Sequence, residues 1–294
     1  FTLPHELSAL MLQNKKLLYD LLFRASAATL LEVARDPKHL GADIGLLSVL
    51  HTWGKNLQHH PHVHCVVPGG GLALDGSRWV AASSQFFLPV RVLSRVFRGK
   101  FTAELKQLLL QGKLQFHGSL QELASPEPFQ RFLRQLFTKD WVVYAKPPFG
   151  GAEHVLNYLA RYTHRVAISN HRLVSFKDDR VCFRWKDYAA GSKQKVMTVS
   201  TDEFLRRFLT HVLPKGLVRI RHFGLFANRN RSASLLRCRL LLNAAVPPPQ
   251  PAPTAQIKCP LCSAPMYMIE RFTSLQLLSA PPSAAPIKPR LDSS

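Results

Sequence analysis

Apolar residues recur at three- and four-residue intervals from Leu3 to Leu31, in a stretch rich in Leu, Ala and Lys. That period predicts a long helix, with Pro4 accommodated in its first turn. Gly41 to Trp53 carries a denser apolar run, Ala-Asp-Ile-Gly-Leu-Leu-Ser-Val-Leu-His, and is expected to form a second, mostly buried helix. The period then changes. His62-Val-His64 enters the apolar run Cys-Val-Val and reads as a strand that ends at Pro68-Gly-Gly-Gly71. Asp75-Gly76 marks a hairpin turn into Arg78-Trp-Val80.

Val90 to Leu110 and Pro126 to Phe137 have amphipathic helical spacing, and Trp141 to Tyr144 reads as a short strand. Gly150-Gly151 opens a helix over Ala152 to Thr163. Strands are expected over Arg165 to Ser169, Arg172 to Phe176, Arg180 to Trp185 and Val196 to Val199, with Asp178-Asp179 turning the second into the third. Ser200-Thr-Asp-Glu203 is an N-cap cluster for a helix from Phe204 to Leu213. Arg219 to Phe226 alternates basic and apolar residues as an edge strand would. The pattern is α+β, one mixed or mostly antiparallel sheet with helices packed mainly on one face. A Pro-rich linker, Pro247 to Pro253, divides this core from a Pro-, Ala- and Ser-rich tail expected to be disordered. Three regions follow: 1–56, an N-terminal helical segment; 57–245, the core with its basic region; and 246–294, the linker and tail.

Charge changes the picture. The chain of 294 residues is 46% hydrophobic yet carries a formal net charge of +21, so a polyanion is the expected partner, nucleic acid before an anionic membrane surface. Between Glu203 and Glu270 there is no acidic residue, while Arg206, Arg207, Lys215, Arg219, Arg221, Arg229, Arg231, Arg237 and Arg239 all fall there. Without acids in the stretch to pair with, these bases are expected to contact the DNA backbone rather than form an ion-pair lattice. Five cysteines at irregular spacing do not form a secreted disulfide framework. No apolar run is long enough to span a membrane and no signal peptide is evident, so the expected location is cytoplasmic.

Chemistry concentrates in two places. Strand alternation puts His62 and His64 on one face, and two imidazoles one strand repeat apart can hold a single divalent metal. With phosphate oxygens as co-ligands, Mg²⁺ or Mn²⁺ suits the site better than structural Zn²⁺. A third protein ligand is expected. His59 and His60 are nearest in sequence, and His154 lies on the later helix. On that helix Tyr158 and Tyr162 stand four residues apart, so two phenols lie on one flank beside His154 and Arg165, and Arg161 and Arg165 could help neutralise a phosphate there. A phenol titrates near pH 10, so attack on a phosphodiester at neutral pH needs electrostatic help at the phosphate. Cys259-Pro-Leu-Cys262 offers half of a tetrahedral zinc site, with no second Cys-x-x-Cys to complete it.

Four segments together carry a resemblance. They are His51-Thr-Trp-Gly, His59 through Gly71, Tyr158-Leu-Ala-Arg-Tyr-Thr-His-Arg-Val-Ala-Ile-Ser169 and Arg219 through Arg229. In this order they closely resemble two-tyrosine HUH transposases of the insertion-sequence family IS ninety-one, which includes the common-region elements. The resemblance implies a rolling-circle-type transposase with His62 and His64 as metal ligands and Tyr158 and Tyr162 as nucleophiles. It further implies a nuclease core resembling an RNA-recognition-motif sheet, with the histidines on a central strand. Single-stranded DNA is the implied partner, with Arg161, Arg165, Arg219, Arg221, Arg229 and Arg231 as its contacts. No nucleotide cofactor is expected, because the chain has no P-loop. A cysteine-rich segment common upstream in that family is absent from this chain. Other readings of the same residues are a plasmid relaxase or replication initiator, a decayed transposase that only binds DNA, and a His-x-His metallohydrolase.

Overall fold

The computed structural model describes residues 1–83, 87–146, 148, 150–163, 167–187, 191, 193–244, 257–259 and 261–266, without the side chains of residues 152, 161–163, 257 and 258. The linker and tail expected over 247–253 and beyond Ser279 lie outside the described residues, as does Arg165. The chain divides into two compact units, Phe1–Ala244 and Ala245–Ser294.

The first unit opens with α1 (Ser8–Gln13) and α2 (Lys15–Arg35), where one long helix is expected; Asn14 separates them. Then come β1 (Ala42–Asp43), β2 (Gly45–Trp53), β3 (His59–Val66), β4 (Gly70–Ala73) and β5 (Trp79–Ala81). Helices α3 (Val90–Leu110), α4 (Pro126–Leu136) and α5 (Ala152–Thr163) follow, close to their expected bounds. Next are β6 (Leu173–Lys177), β7 (Arg180–Asp187), β8 (Lys193–Ser200), α6 (Thr201–Thr210), β9 (Ile220–Gly224) and α7 (Arg231–Leu241). The second unit contributes β10 (Ile257–Lys258) and β11 (Pro265–Met266), a two-stranded hairpin.

Secondary structure is mixed α+β and every described strand pair is antiparallel, but the strands do not form one sheet. They form three three-stranded sheets, β1-β4-β5, β3-β2-β9 and β6-β7-β8, besides the β10-β11 hairpin. Their strands run for two to nine residues. At the β6–β7 turn Asp178 and Asp179 both take positive φ, 50° and 54°, as a two-residue hairpin matched to strand twist demands.

The expected helix over 41–53 is instead β1 and β2. Eight of the nine β2 residues from Gly45 are buried or paired on both sides, β3 on one flank and β9 on the other. A strand covered on both faces loses its period-two signal and reads as a continuous apolar run, which periodicity cannot tell from a buried helix. Trp141–Tyr144 is not a ladder strand either. Its backbone serves as anchor points, with Thr2 N–H on Val142 O (2.9 Å) and Ser94 Oγ on Trp141 O (2.7 Å). Ala167–Ser169, the described part of the strand expected from Arg165, has no ladder pairing. The expected helix start at Ser200 holds: its side chain accepts the Glu203 N–H at 3.3 Å.

The main core lies between helices and the inner face of β3-β2-β9. Leu18 and Leu22 of α2, Phe97, Phe101 and Leu105 of α3, Phe129 and Leu133 of α4, and Trp141 pack with Leu50 and Val63. Leu50 and Val63 are cross-strand partners, so burying this pair fixes which face of β2 and β3 looks away from the core. Shifting register by one residue would turn every histidine inward.

Candidate active site

Register builds the site. On the face opposite Leu50 and Val63, His51 of β2 stands directly across from His62, and His64 stands across from Val49. Cross-strand partners and next-but-one neighbours are the residues a sheet brings closest on one face. One ligand atom from each of His51, His62 and His64 falls within 4.8 Å of the others. The ring centroids lie 5.3 Å (His51–His62), 4.8 Å (His51–His64) and 4.9 Å (His62–His64) apart.

Hydrogen bonding and burial fix the form of two of the rings. His62 Nδ1 donates to its neighbour's carbonyl, His60 O, at 2.7 Å. A carbonyl only accepts, so the ring proton sits on Nδ1 and the Nε2 lone pair is available. Burial pushes the His62 imidazole well below its usual range and His64 down to about 4. Both are therefore neutral near pH 7. His51, only 6% exposed, stacks on Trp53 at 4.7 Å and 23°, and the Arg219 guanidinium covers Trp53 at 5.1 Å. The β2–β3 ladder slips between His51 and Trp53, a bulge that lets both rings turn toward the site.

Helix α5 lies against β2 and brings Tyr158 over the triad, its Oη 2.8 Å from His64 Nδ1. Tyr162 belongs to the same helix one turn later, and its side chain, like that of Arg161, lies outside the described residues.

The candidate third ligands fall elsewhere. His154 is exposed on the first turn of α5. His60 contributes its carbonyl to His62. His59 points to α2, where its Nε2 meets Tyr19 Oη at 3.0 Å and its ring stacks 6.4 Å from His211. His51 takes the place expected of them. Sequence reasoning missed it by reading β2 as a helix, although His51-Thr-Trp-Gly stood among the segments carrying the resemblance. Of the three histidines, His51 lies on the central strand of the described sheet and His62 and His64 on its neighbour. Within the described sheet β3 is the edge and β2 the centre, and β3's outer side is bridged by the chain's own start, Thr2 to His62.

The basic region is less open than an acid-free stretch suggests, because acids from outside it supply partners. Arg206 and Arg207 both grip Glu203. Arg221 pairs with Asp20 and lies 4.3 Å over the Phe23 ring. Arg219 donates to Leu50 O at 3.2 Å as it covers Trp53. Arg229 and Arg231 are exposed at the start of α7. In the second unit Cys259 and Cys262 share the turn between β10 and β11, where Ser263 N–H bonds Cys259 O at 2.8 Å. Hydrogen bonds from Cys262 and Leu261 hold the Cys259 thiol below its usual range.

The buried imidazoles set a pH dependence. His59, at about 4 through burial first and then the charges of His211 and Lys15, and His64, at about 4, are depressed below the unfolded value of 6.5. A depressed histidine stays neutral when folded. Its contribution is fully present above pH 6.5 and is lost as pH falls from 6.5 toward 4, where the unfolded chain takes up protons first. Each should add a slope of about 1.4 kcal/mol per pH unit. Denaturant titrations of metal-free protein between pH 8 and 4.5 should show stability falling only below about 6.5, and less steeply in His59→Gln.

Fold and site together define an α+β protein in which three imidazoles on one sheet face, His51, His62 and His64, lie beneath a helix-borne phenol. The chain belongs to the Y2_Tnp family, whose model, described as "Putative transposase", matches residues 45–233 and so takes in the triad and α5. It is 59% identical over 249 residues to "Putative transposase y4qJ" of Sinorhizobium fredii (strain NBRC 101917 / NGR234), covering 85% of this chain and 63% of that protein. It is 29% identical over 290 residues to "Transposase for insertion sequence element IS801" of Pseudomonas savastanoi pv. phaseolicola, covering 94% of this chain and 67% of that one. The chain thus spans about two thirds of the length of these relatives. No solved structure matches it. Among the described residues no helix is long and apolar enough to cross a membrane.

Proposed function

We propose that this chain carries the DNA-cleaving core of a transposase that nicks single-stranded DNA at element ends through tyrosine attack, in the manner of two-tyrosine HUH enzymes. The observation that carries the reading is the placement of Tyr158 Oη 2.8 Å from His64 within a triad whose ligand atoms lie inside 4.8 Å. A cluster of three imidazoles within ligand distance of one another, His51 buried and His62 and His64 half-buried, is an arrangement a divalent cation satisfies. His51, His62 and His64 would hold that cation, and imidazole donors suit Mn²⁺ better than Mg²⁺, whose preference is for oxygen. When bound, it supplies Lewis-acid polarisation of a phosphate oxygen.

The chain's own residues do the rest. Tyr158 Oη forms a bond to phosphorus, the P–O3′ bond breaks, the phenolic proton is given up and the 3′ oxygen leaves as a hydroxyl. One phosphodiester is exchanged for a phosphotyrosine ester, so the bond energy is kept for rejoining. Were the cation to take Nε2 of His64, the ring proton would sit on Nδ1 and donate to Oη, meeting the negative charge that develops there. Tyr162, one turn along α5, would take the second strand. No nucleotide is needed, and the work is cytoplasmic. Membership of a transposase family favours this reading over a relaxase or replication initiator.

Labelled single-stranded element ends incubated with the protein and Mn²⁺ should give a band shifted by the mass of the protein on a denaturing gel. A cut strand with no attached protein would point to hydrolysis by activated water. Trp53 and Arg219 act by holding the His51 ring. Trp53→Ala should weaken Mn²⁺ binding about tenfold, the scale on which an outer-shell contact acts, and Trp53→Phe should recover most of it, both measured by titration calorimetry.

A further inference from the structure

The sheet β6-β7-β8 has one face in the core and one that exposes Arg180, Arg184 and Lys186. Phe183 faces inward, packed with Leu57 and Ala167, and Trp185, Met197, Val199, Phe204 and Phe208 join it; Val181, two residues earlier on the strand, is buried as well. The alternate β7 positions, Arg180, Cys182, Arg184 and Lys186, therefore share the outer face. Opposite them stand Ser200, Thr198, Val196 and Gln194 of β8, and Lys177 and Ser175 of β6.

No acidic residue of these strands falls on that register. Asp187 follows Val181, Phe183 and Trp185 and is held by Lys195 at 2.7 Å, and Asp178 and Asp179 are confined to the turn. Lys177 stands directly across from Arg180, a like-charge pair that costs stability in a sheet. The sheet is also rooted beside the histidine site. Arg172 donates to Arg184 O at 2.8 Å and to Lys55 O, and Arg207 reaches Asn56 O at 3.1 Å. Lys55 and Asn56 lie in the turn between Trp53 and His59.

We propose that this outer face is a second DNA-contact surface, on which Arg180, Arg184 and Lys186 hold the backbone of the single strand flanking the cleaved phosphodiester. The proposal rests on DNA being the substrate. Alternate residues of a strand repeat about every 6.8 Å, which sets a row of cations along one line with small, uncharged neighbours where a phosphodiester chain can lie flat. Contacts of this kind position DNA without reading its bases.

The test compares a short oligonucleotide, spanning only the cleavage site, with one extended by about 15 nucleotides on either side. Each single-strand phosphate contact adds about 0.7 to the slope of log affinity against log salt. Wild type should therefore bind the long strand with a slope steeper by about 2 than the short one. In Arg180→Gln/Arg184→Gln/Lys186→Gln, checked for folding by circular dichroism, that difference should vanish and long-strand affinity should fall about tenfold or more at low salt.

Cys182 gives an independent readout in the wild-type protein. Hydrogen bonds with Thr198 and Ser175 hold its thiol below the ordinary range, so it should alkylate readily, and the long strand should protect it where the short one does not, read by peptide mass spectrometry. Unchanged slopes in the triple variant, or Cys182 alkylating equally fast with and without the long strand, overturns the assignment. Protection by phosphatidylglycerol vesicles but not by DNA overturns it too, in favour of a membrane face. A wild-type protein that binds neither oligonucleotide overturns the DNA-cleavage reading along with it, whereas cleavage with unprotected Cys182 overturns this surface alone.

Discussion

His51→Ala, His62→Ala and His64→Ala are each expected to remove metal-dependent strand cleavage. The loss should exceed the roughly 10–100-fold that follows removal of an outer-shell partner. All three rings meet at one focus, so deleting any of them leaves two donors where the site is built for three. His51 is the discriminating variant. It sits on a different strand from the other two, and its position depends on the His51↔His62 register. DNA binding should largely survive, because the exposed basic residues are elsewhere. Mn²⁺ affinity measured by calorimetry should fall in parallel with cleavage. Normal metal binding by His51→Ala would return the third-ligand role to another residue, whereas unaffected His62→Ala would dissolve the site.

The second large effect concerns the phenols. Tyr158→Phe removes one hydroxyl and leaves the ring, so α5 should pack as before while the group beside His64 Nδ1 is lost. Tyr162→Phe makes the same change one turn along the helix. Each single variant should still cut one strand of a short substrate but fail to complete strand transfer, which takes two covalent attachments, and the double variant should form no adduct. Single-turnover assays of adduct formation and of joined product separate the two steps. A double variant that still forms adduct would move the nucleophile elsewhere, with Tyr144 and Tyr188 the next candidates. A single variant that transposes normally would make the protein a one-tyrosine enzyme.

Legibility followed how much of the physics was local. The turn at Asp178-Asp179, the cap at Ser200 and the helices α3, α4 and α5 depend on short-range spacing, and the sequence pattern places each of them. The same alternation that sets His62 and His64 on one face holds in β3, with Val63 turned into the core. What failed was non-local. β2 is buried on both faces, so its apolar run carried no period, and only its pairing with β3 and β9 reveals it as a strand. His51 was lost with it, since its role exists only through the cross-strand register. The stretch around Arg221 holds no acid, yet Asp20, some two hundred residues earlier, pairs with it. A charge count along the chain does not report which charges meet in space.

The most direct measurement maps the covalent bond itself. Protein incubated with single-stranded element ends and Mn²⁺ would be digested with trypsin and nuclease, and the peptide that retains a nucleotide sequenced by tandem mass spectrometry. The account predicts a 5′-phosphonucleotide on Tyr158 or Tyr162, absent when His51 is replaced by Ala. A nucleotide on a peptide outside α5, or cleaved DNA with no nucleotide-bearing peptide, would contradict it.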